Sequence, residues 1–228
     1  MAIARTPEEE QVVRDNLIAT CAKVFLRDGY SKVTMKSLAD EAGCTTGKFY
    51  SNFAGKPEIL RVLIEKLTRT TYRETLNLLS EPGDNQMEKL MLFFVMEYEI
   101  CHINEKIREL FHFAYEDSEA LAAVAGFFKA DLAEALEKTY GRVVDDQKLT
   151  MITTMGFCAF RGIIMSEYKG YAYDENTQIA YMMELILHIY EISGKDAEAL
   201  VARIERCKPQ LREATYNLII HILQTKLY

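Results

Sequence analysis

Residues 42–56 read Ala-Gly-Cys-Thr-Thr-Gly-Lys-Phe-Tyr-Ser-Asn-Phe-Ala-Gly-Lys, and this stretch decides the fold of the N-terminal quarter. Upstream, Thr34 is placed to cap a short helix. Gly43 then supplies a sharp turn, so that a second short helix can begin at Thr45. Two short helices joined by a glycine turn form a helix-turn-helix, which the sequence therefore predicts here.

The second helix of this motif begins with residues that suit contact with DNA. A helix N-terminus presents free N–H groups, so Thr45 and Thr46 are placed to meet phosphates or base edges. Gly47 permits close approach of the backbone, and Lys48 can donate to guanine acceptors in the major groove.

Residues after this first turn are expected to contact the DNA backbone or the protein core. The Tyr50 hydroxyl and the Asn52 amide lie where phosphates would pass, and Lys56 opens a new helix whose amides can hold another phosphate. Phe49 and Phe53 are expected to point inward. The predicted DNA-binding residues are Thr34, Thr45, Thr46, Gly47, Lys48, Tyr50, Asn52 and Lys56.

An Ala-Gly-x-Thr turn alone occurs in many helical proteins, but the longer pattern is more specific. It resembles the TetR-type (TetR/AcrR) bacterial transcriptional regulators over roughly residues 8–62. Cys44, Ser37 and Pro57 depart from that pattern without removing a DNA contact. The matching positions are Gly29, Tyr30, Thr34, Leu38, Ala39, Ala42, Gly43, Thr45, Gly47, Phe49, Tyr50, Phe53, Gly55, Lys56 and Leu60.

The resemblance implies a function and its partners. It implies a sequence-specific transcriptional regulator, a repressor that binds a palindromic operator as a homodimer. It also implies release when an unidentified small-molecule effector binds the C-terminal domain. The alternative is a DNA-binding architectural protein or constitutive regulator that has no ligand.

Composition narrows the class of protein. The chain has 228 residues, of which 49% are hydrophobic and 27% charged, as in ordinary soluble proteins. Five scattered cysteines without a Cys-x-x-Cys pair favour reduced thiols. We see no signal peptide, and the longest uncharged runs have only 12 residues. The sequence thus predicts a cytoplasmic protein without a membrane partner.

The charge is unevenly distributed. The net charge is −7, but residues 1–72 carry 11 Lys and Arg against 9 Asp and Glu. The rest of the chain is acidic, so affinity for DNA is expected to be local to the N-terminal region.

Hydrophobic periodicity predicts an all-α fold. The resemblance implies an N-terminal three-helix helix-turn-helix DNA-binding domain, then a helical ligand-binding and dimerisation domain. We assign residues 1–55 to DNA binding, 56–79 to a connecting helix and 80–228 to ligand binding and dimerisation. The C-terminal segment 210–228 either extends the dimer interface or covers the pocket. Helices are predicted at 86–116, 118–125, 127–140, 146–169, 176–193, 196–207 and 210–226, with a loop at 80–85.

Two of these helices are predicted to form the subunit interface, because each has an apolar stripe. The alternative is that both stripes face the monomer's own core. The stripe residues are Met151, Met155, Gly156, Phe160 and Ile163 in the first helix, and Ile179, Met182, Met183, Ile186, Ile189 and Tyr190 in the second.

The helix predicted at 86–116 is apolar on more than one side, as expected for a helix enclosed by others. The resemblance implies a small-molecule site in this domain, and side chains of this helix could line it. These side chains could equally be plain core. The candidate ligand-binding residues are Phe94, Tyr98, His102, Phe111, Tyr115, Phe128, Met151 and Met155.

A polar stripe on the same predicted helix could hold a cation or simply face solvent. It lacks a metal-specific motif such as His-Glu-x-x-His, so no metal is predicted. Its members are Tyr98, His102, Glu105, Glu109, His112 and Glu116. The chain also lacks a Gly-x-Ser-x-Gly elbow and a phosphate-binding glycine loop, so we predict neither catalysis nor a cofactor.

Overall fold

A computed structural model describes residues 6–78, 85–171 and 174–224. Within those ranges the chain forms ten helices and no strand, which confirms the predicted all-α class. The helices are α1 (Pro7–Asp28), α2 (Met35–Glu41), α3 (Thr46–Tyr50), α4 (Lys56–Leu78), α5 (Gln86–His102), α6 (Glu105–Glu116), α7 (Ser118–Tyr140), α8 (Asp146–Tyr168), α9 (Glu175–Ile189) and α10 (Lys195–Gln224).

Helix α1 has strong local signals at both ends. Thr6 and Glu9 form a reciprocal capping box, and Pro7 occupies the first turn, where its missing N–H costs nothing. The helix stops at Gly29, whose φ of 90° suits glycine. A Cβ there would lie 2.8 Å from the Glu109 Oε2 atom, so the position also allows close approach of α6.

Helices α2 and α3 form the predicted helix-turn-helix. Thr34 and Ser37 make a second capping box, so a serine replaces the usual acidic partner without loss of the cap. Gly43 turns the chain with a φ of 62°, and the Thr45 hydroxyl caps α3. We name α1, α2 and α3 the head.

The head has its own buried side chains and rests on α4. Phe49 and Phe53 are buried, as predicted, and their rings lie 6.0 Å apart. Phe25 of α1 is buried as well. Helix α4 then contacts α1 at its beginning and α5, α6, α7 and α10 further along, so it joins the head to the rest of the chain.

Helix α5 lies at the centre of the C-terminal helices and contacts α4, α6, α7, α8, α9 and α10. It buries residues around its whole circumference, which matches the expectation of an enclosed helix. Phe93 packs on Phe128 of α7, with 4.4 Å between ring centroids. Phe94 packs on Phe157 of α8, at 5.0 Å.

Three predicted helix boundaries are wrong. The segment 86–116 is two helices, because the Asn104 side chain caps a new helix by accepting hydrogen bonds from the Lys106 and Ile107 amides. Helix α7 continues through Gly126, since a single interior glycine costs only about 1 kcal/mol and buried residues flank it on both sides.

Helix α10 continues through Pro209, although an interior proline removes one backbone hydrogen bond. Ile204 and Leu211 lie on either side of the proline and are both buried, which favours one continuous helix. Residues 80–84 of the loop predicted at 80–85, residues 225–228 and the side chains of 218–224 lie outside the described residues. The two roles considered for 210–228 stay predictions.

Helix α8 is unusual among the described helices because its length and apolar composition would allow it to cross a membrane. Its most apolar window has a mean hydropathy of 1.4. Core helices of soluble proteins also satisfy this criterion, which makes it weak support for a membrane span. Here α8 packs between α7, α6 and α9 and buries Phe157 and Phe160.

Candidate DNA-binding surface and effector region

The recognition helix α3 presents a polar face to solvent. Thr45, Gly47, Lys48 and Tyr50 are exposed, and Tyr50 is 55% exposed despite its aromatic ring. Thr46 is half-buried. The helix therefore buries one face on the head and leaves the predicted DNA-binding face open.

Two of the predicted contact residues also hold the local backbone. The Thr45 hydroxyl accepts a hydrogen bond from the Lys48 amide at 3.2 Å, and the Thr34 hydroxyl accepts one from the Ser37 amide at 3.1 Å. Both threonines are exposed. The Thr45 hydroxyl can also donate to a phosphate, whereas the Thr34 hydroxyl already donates to the Ser37 hydroxyl oxygen at 3.3 Å. Capping and a phosphate contact are therefore compatible at Thr45.

Asn52 is more constrained than the sequence suggested. Its side-chain nitrogen donates to the Lys48 carbonyl oxygen at 2.7 Å, which closes the C-terminal end of α3. Its backbone carbonyl accepts a hydrogen bond from Arg14. Asn52 is half-buried, so at most part of its amide is available to a phosphate.

The placement of Lys56 conflicts with its predicted phosphate contact. Its ammonium donates to the Tyr30 carbonyl oxygen at 2.8 Å and to the Val33 carbonyl oxygen at 2.9 Å. It also lies 4.2 Å from the centroid of the Tyr30 ring, a cation–π distance. Burial lowers the pKa of Lys56, and the Glu109 charge opposes this effect. The side chain fastens the loop after α1 to α4 and does not point to solvent.

Arg14 is a functional residue that the sequence analysis missed. Its guanidinium bonds the Asn52 carbonyl, lies 2.6 Å from the Glu58 carboxylate and covers the Phe53 ring at 4.5 Å. Glu58 also accepts a hydrogen bond from the Ala54 amide at 2.6 Å. Arg14 thereby links α1, the end of α3 and the start of α4.

Three exposed lysines add positive charge to the N-terminal region. Lys32, Lys36 and Lys48 are all exposed. Lys56, which was predicted to hold a phosphate, is instead bonded to two backbone carbonyl oxygens and does not add to this exposed charge. The charge available to phosphates is therefore smaller than the sequence indicated.

The predicted effector region is a buried aromatic cluster. Phe94, Phe111, Tyr115 and Phe128 are each at most 2% exposed. Their contacts include Tyr115 with Phe160 at 5.8 Å between ring centroids. The structure thus brings these four predicted residues into one interior.

Met151 and Met155 do not belong to this interior, and their assignment to the ligand pocket is wrong. They are 54% and 46% exposed and lie on the outer face of α8. The inner face of α8 is formed by other residues, such as Phe157 and Phe160. The α-helical period separates the two faces.

A buried carboxylate lies within the aromatic interior. Glu97 accepts hydrogen bonds from the Tyr115 hydroxyl at 2.7 Å and from the Thr68 hydroxyl of α4 at 3.2 Å. Burial raises the pKa of Glu97 to about 7, although both hydrogen bonds oppose this shift. Glu97 therefore connects the aromatic cluster to the helix that carries the head.

Tyr98 and His102 belong to a second polar network, on α5. The Tyr98 hydroxyl lies 3.1 Å from Glu167 Oε1 and 2.7 Å from Gln178 Oε1, while His102 Nε2 lies 2.9 Å from Glu167 Oε1. Burial disfavours protonated His102, but the bonds to Glu167 and to the Tyr98 carbonyl outweigh it and raise the pKa of His102. Two predicted ligand residues thus anchor α5 to α8 and α9.

The six-residue polar stripe predicted on one helix does not exist as such. The break at Asn104 separates Tyr98 and His102 on α5 from the four members on α6. Among the described residues no group of three or more His, Cys, Asp or Glu side chains is placed to hold a metal ion. The stripe therefore provides no common face for a cation.

The residues predicted to face a second subunit are largely core. Met182, Met183, Ile186 and Phe160 are fully buried within the chain, and Gly156 packs against the Tyr190 hydroxyl. Ile179 and Tyr190 are also buried, while Ile163 and Ile189 are half-buried. The assignment is wrong for these residues, because their side chains turn inward, but Met151 and Met155 of the same predicted set are exposed.

The opposite stripes of the same helices are exposed and partly apolar. We name them the outer face: Met151, Met155, Cys158 and Gly162 on α8, and Tyr181, Glu184, Leu185 and His188 on α9. Both sets follow helical spacing, so each forms one continuous strip. Tyr181 and Leu185 are 62% and 47% exposed.

Comparison with known proteins agrees with this architecture. The sequence profile described as bacterial regulatory proteins, tetR family, matches residues 17–63, which cover the second half of α1, α2, α3 and the start of α4. This part of the chain carries the N-terminal domain of the tetR family. This confirms the resemblance read from the helix-turn-helix.

Two relatives and one solved structure illustrate the similarity. The chain is 27% identical to the HTH-type transcriptional regulator TtgR of Pseudomonas putida over 151 residues. The matched region covers 64% of this chain and 66% of TtgR, which is just under two thirds of the length of TtgR. It is 26% identical over 200 residues to the probable acrEF/envCD operon repressor of Escherichia coli. This match covers 82% of this chain and 90% of that repressor. The crystal structure of RolR in complex with resorcinol has a TM-score of 0.61 at 16% identity, with 92% of this chain and 96% of that chain covered.

Proposed function

We propose that this chain is a sequence-specific DNA-binding transcriptional repressor of the TetR family. The observation that carries the proposal is the exposed face of α3, on which Thr45, Gly47, Lys48 and Tyr50 surround the start of a capped helix. A helix of this kind enters the major groove with its N-terminal residues at the base edges. Thr34 and Thr46, and in part Asn52, would add backbone contacts.

We propose a homodimer that binds a palindromic operator. The outer face of α8 and α9 supports this, because apolar side chains such as Met155 and Leu185 are exposed along adjacent strips. Small residues Cys158 and Gly162 in the α8 strip would permit close approach of a second copy. A two-fold dimer would place two α3 helices on half-sites about one helical turn, ~34 Å, or a small multiple apart.

We propose that a small-molecule effector binds the C-terminal helices and releases the operator. The buried aromatic side chains around the Glu97 carboxylate support this, since they combine apolar surface with one polar group that could orient a ligand. Glu97 reaches Thr68 of α4, so a ligand there would act on the connecting helix. The solved RolR structure carries resorcinol, which makes a small aromatic effector a reasonable first class to test.

The proposed organisation follows from these roles. Residues 1–55 would read DNA, 56–79 would connect, and 80–228 would bind the effector and the second subunit. Regulation of this kind needs neither catalysis nor a cofactor, and it would take place in the cytoplasm, where the operator lies.

The proposal is tested by selecting genomic DNA fragments with the purified protein and sequencing them. A repressor of the proposed type enriches a palindrome, and its affinity for that site exceeds its affinity for random DNA by about a thousandfold or more. Enrichment without a shared sequence would favour the architectural alternative. A shared site whose affinity no small aromatic compound changes would favour a constitutive regulator.

A further inference from the structure

A small cavity lies where the loop after α1, the start of α4, the end of α6 and the start of α7 meet. We name it the junction cavity. It has a volume of about 230 Å³, and all but two of its lining residues, Arg61 and Asp117, are apolar or aromatic. None of the residues of the effector region proposed above lines it, so the two regions are distinct.

Two alanines account for the space. Ala114 near the end of α6 and Ala120 in the first turn of α7 are both buried and both line the cavity. Their side chains are single methyl groups, so they leave open a volume that larger residues would fill. Leu60 of α4 and Tyr30 of the loop after α1 are buried wall residues as well. Four parts of the fold therefore form the inner walls.

The aromatic wall of the cavity is held in place by its own contacts. The centroid of the Tyr30 ring lies 5.2 Å from that of Phe25 and 5.1 Å from that of Phe113. Lys56 donates a hydrogen bond to the Tyr30 carbonyl oxygen and covers the Tyr30 ring. The position of this ring is therefore set before any ligand arrives.

The cavity reaches the protein surface. Pro57 is exposed and Phe113 is half-buried, whereas Leu60 and Ala120 are only 3% and 2% exposed. All four residues line the cavity, which therefore extends from the surface into the interior. A small molecule can reach the buried walls without unfolding of a helix.

The two charged lining residues are already engaged within the protein. Asp117 caps α7 by accepting hydrogen bonds from the Glu119 and Ala120 amides, at 2.9 Å and 3.2 Å. Arg61 lies 2.5 Å from the Glu119 carboxylate and 3.8 Å from that of Asp117. The Arg61 Nε atom has no hydrogen-bond partner among the described residues, but it is buried too completely for a ligand to reach. A charged ligand would therefore lose its hydration without adequate compensation.

Water is held poorly by walls of this kind. A buried water molecule needs about two to four polar partners, whereas Leu60, Ala114 and Ala120 offer only hydrocarbon side chains. A ligand that replaces poorly held water by apolar contacts gains affinity. The walls therefore favour a neutral, apolar ligand.

The volume of the cavity sets the size of that ligand. An apolar cavity of about 150 Å³ is large enough to bind benzene. Pockets for drug-sized ligands begin at about 300 Å³. The junction cavity lies between these two values, so it suits a molecule with one ring.

We propose that the junction cavity is a binding site for a neutral, apolar small molecule the size of a single aromatic ring. Bound there, the molecule would contact the loop after α1 through Tyr30, α4 through Leu60 and α7 through Ala120. It would therefore bridge the head and the C-terminal helices. The site goes beyond the effector region proposed above, and its existence does not depend on DNA binding.

The test uses the full-length protein without DNA and toluene as the probe. Toluene matches the cavity in size, and its ring current shifts the NMR signals of nearby methyl groups. In alanine-labelled protein we expect a saturable shift of the Ala120 methyl signal and no shift at Ala122, which is exposed on the same helix. Benzoate and benzylammonium resemble toluene in shape but are charged, so each should bind more weakly by about tenfold or more.

A pair of matched variants then locates the site. Ala120→Leu places a larger side chain within the cavity and should weaken toluene binding by about tenfold or more. Ala122→Leu makes the same substitution at an exposed position of α7 and should bind toluene like the wild type. Circular dichroism shows whether Ala120→Leu keeps its helices. If it does not fold, the methyl shifts of the wild type decide.

The proposal is wrong if toluene does not bind the wild type saturably, or if it binds without shifting the Ala120 methyl signal. Equal binding of toluene by the wild type and a folded Ala120→Leu protein would also contradict it. Binding of benzoate or benzylammonium as tight as that of toluene would show that charge, and not the apolar wall, selects the ligand. Because no readout involves DNA, none of these results bears on the proposed repressor function.

Discussion

The ammonium of Lys56 contacts Tyr30 twice. It lies 2.8 Å from the Tyr30 carbonyl oxygen and 4.2 Å from the centroid of the Tyr30 ring. One residue lies at the start of α4 and the other in the loop after α1. This pair fixes the head on the connecting helix. A lysine expected to bind DNA has instead a structural role.

We expect Lys56→Met to destabilise the protein by about 1–3 kcal/mol, because two carbonyl oxygens lose a charged donor. Chemical denaturation measures the change, with Lys36→Met on the exposed side of α2 as the control. The dependence of operator affinity on salt should keep its slope, since no phosphate contact is lost. The opposite result would be a Lys56→Met protein that is as stable as the wild type and whose salt slope is shallower by about one phosphate contact. It would mean that Lys56 contacts a phosphate, as the sequence predicted.

Lys48→Ala should weaken operator binding by about 1–3 kcal/mol and relax the sequence preference at one position in each half-site. The physical reason is that the exposed Lys48 side chain leaves the first turn of α3, which on the proposed docking would face the base edges. Binding to the selected site and to its single-base variants measures both effects. Arg206→Ala, far along α10, serves as the control, and wild-type specificity in Lys48→Ala would show that α3 docks differently.

The neighbours Leu185 and Ile186 distinguish the outer face from the core. Leu185 is 47% exposed and Ile186 is fully buried. Leu185→Arg should produce a folded monomer, whereas Ile186→Arg should unfold the chain, since an unpaired buried charge costs several kcal/mol. Sedimentation velocity gives the mass and circular dichroism the helix content. A dimeric Leu185→Arg protein would indicate that subunits associate elsewhere.

Glu97 should make stability depend on pH. Its folded pKa of about 7 lies above its ordinary value of 4.5 because burial disfavours the charge. Between these values the unfolded chain releases a proton that the folded chain retains, so the free energy of unfolding falls as pH rises, by at most about 3 kcal/mol.

Glu97→Gln removes this proton and should therefore gain stability relative to wild type as pH rises through that window. Urea denaturation at several pH values measures the difference. Glu137→Gln, at an exposed position of α7, should show no such trend. A constant difference between Glu97→Gln and wild type would mean that Glu97 stays charged in the fold.

The head could be predicted from sequence because its signals are local. Capping residues such as Thr6 and Thr34 and the turn at Gly43 act within a few residues of the structure that they define. The role of Lys56 could not be predicted in this way. It depends on the Tyr30 carbonyl, 26 residues away in the chain, and on how the loop after α1 folds back onto α4.

The C-terminal helices were predicted less well because periodicity identifies a stripe but not its partner. Met155 and Ile186 both lie on apolar stripes, yet the first is exposed and the second buried. Only the packing of neighbouring helices decides between them. The break before α6 did have a local signal, Asn104, but the apolar pattern continues across it and concealed the cap.

The clamp made by Arg14 has a consequence for how DNA is bound. A helix of five residues such as α3 does not persist alone in water, so its shape depends on the bonds that Arg14 makes to Asn52 and Glu58. The reading surface is therefore preorganised before the encounter with DNA. Association should be rapid, with little heat-capacity change from coupled folding, and Arg14, although on another helix, should help to set the lifetime of the complex.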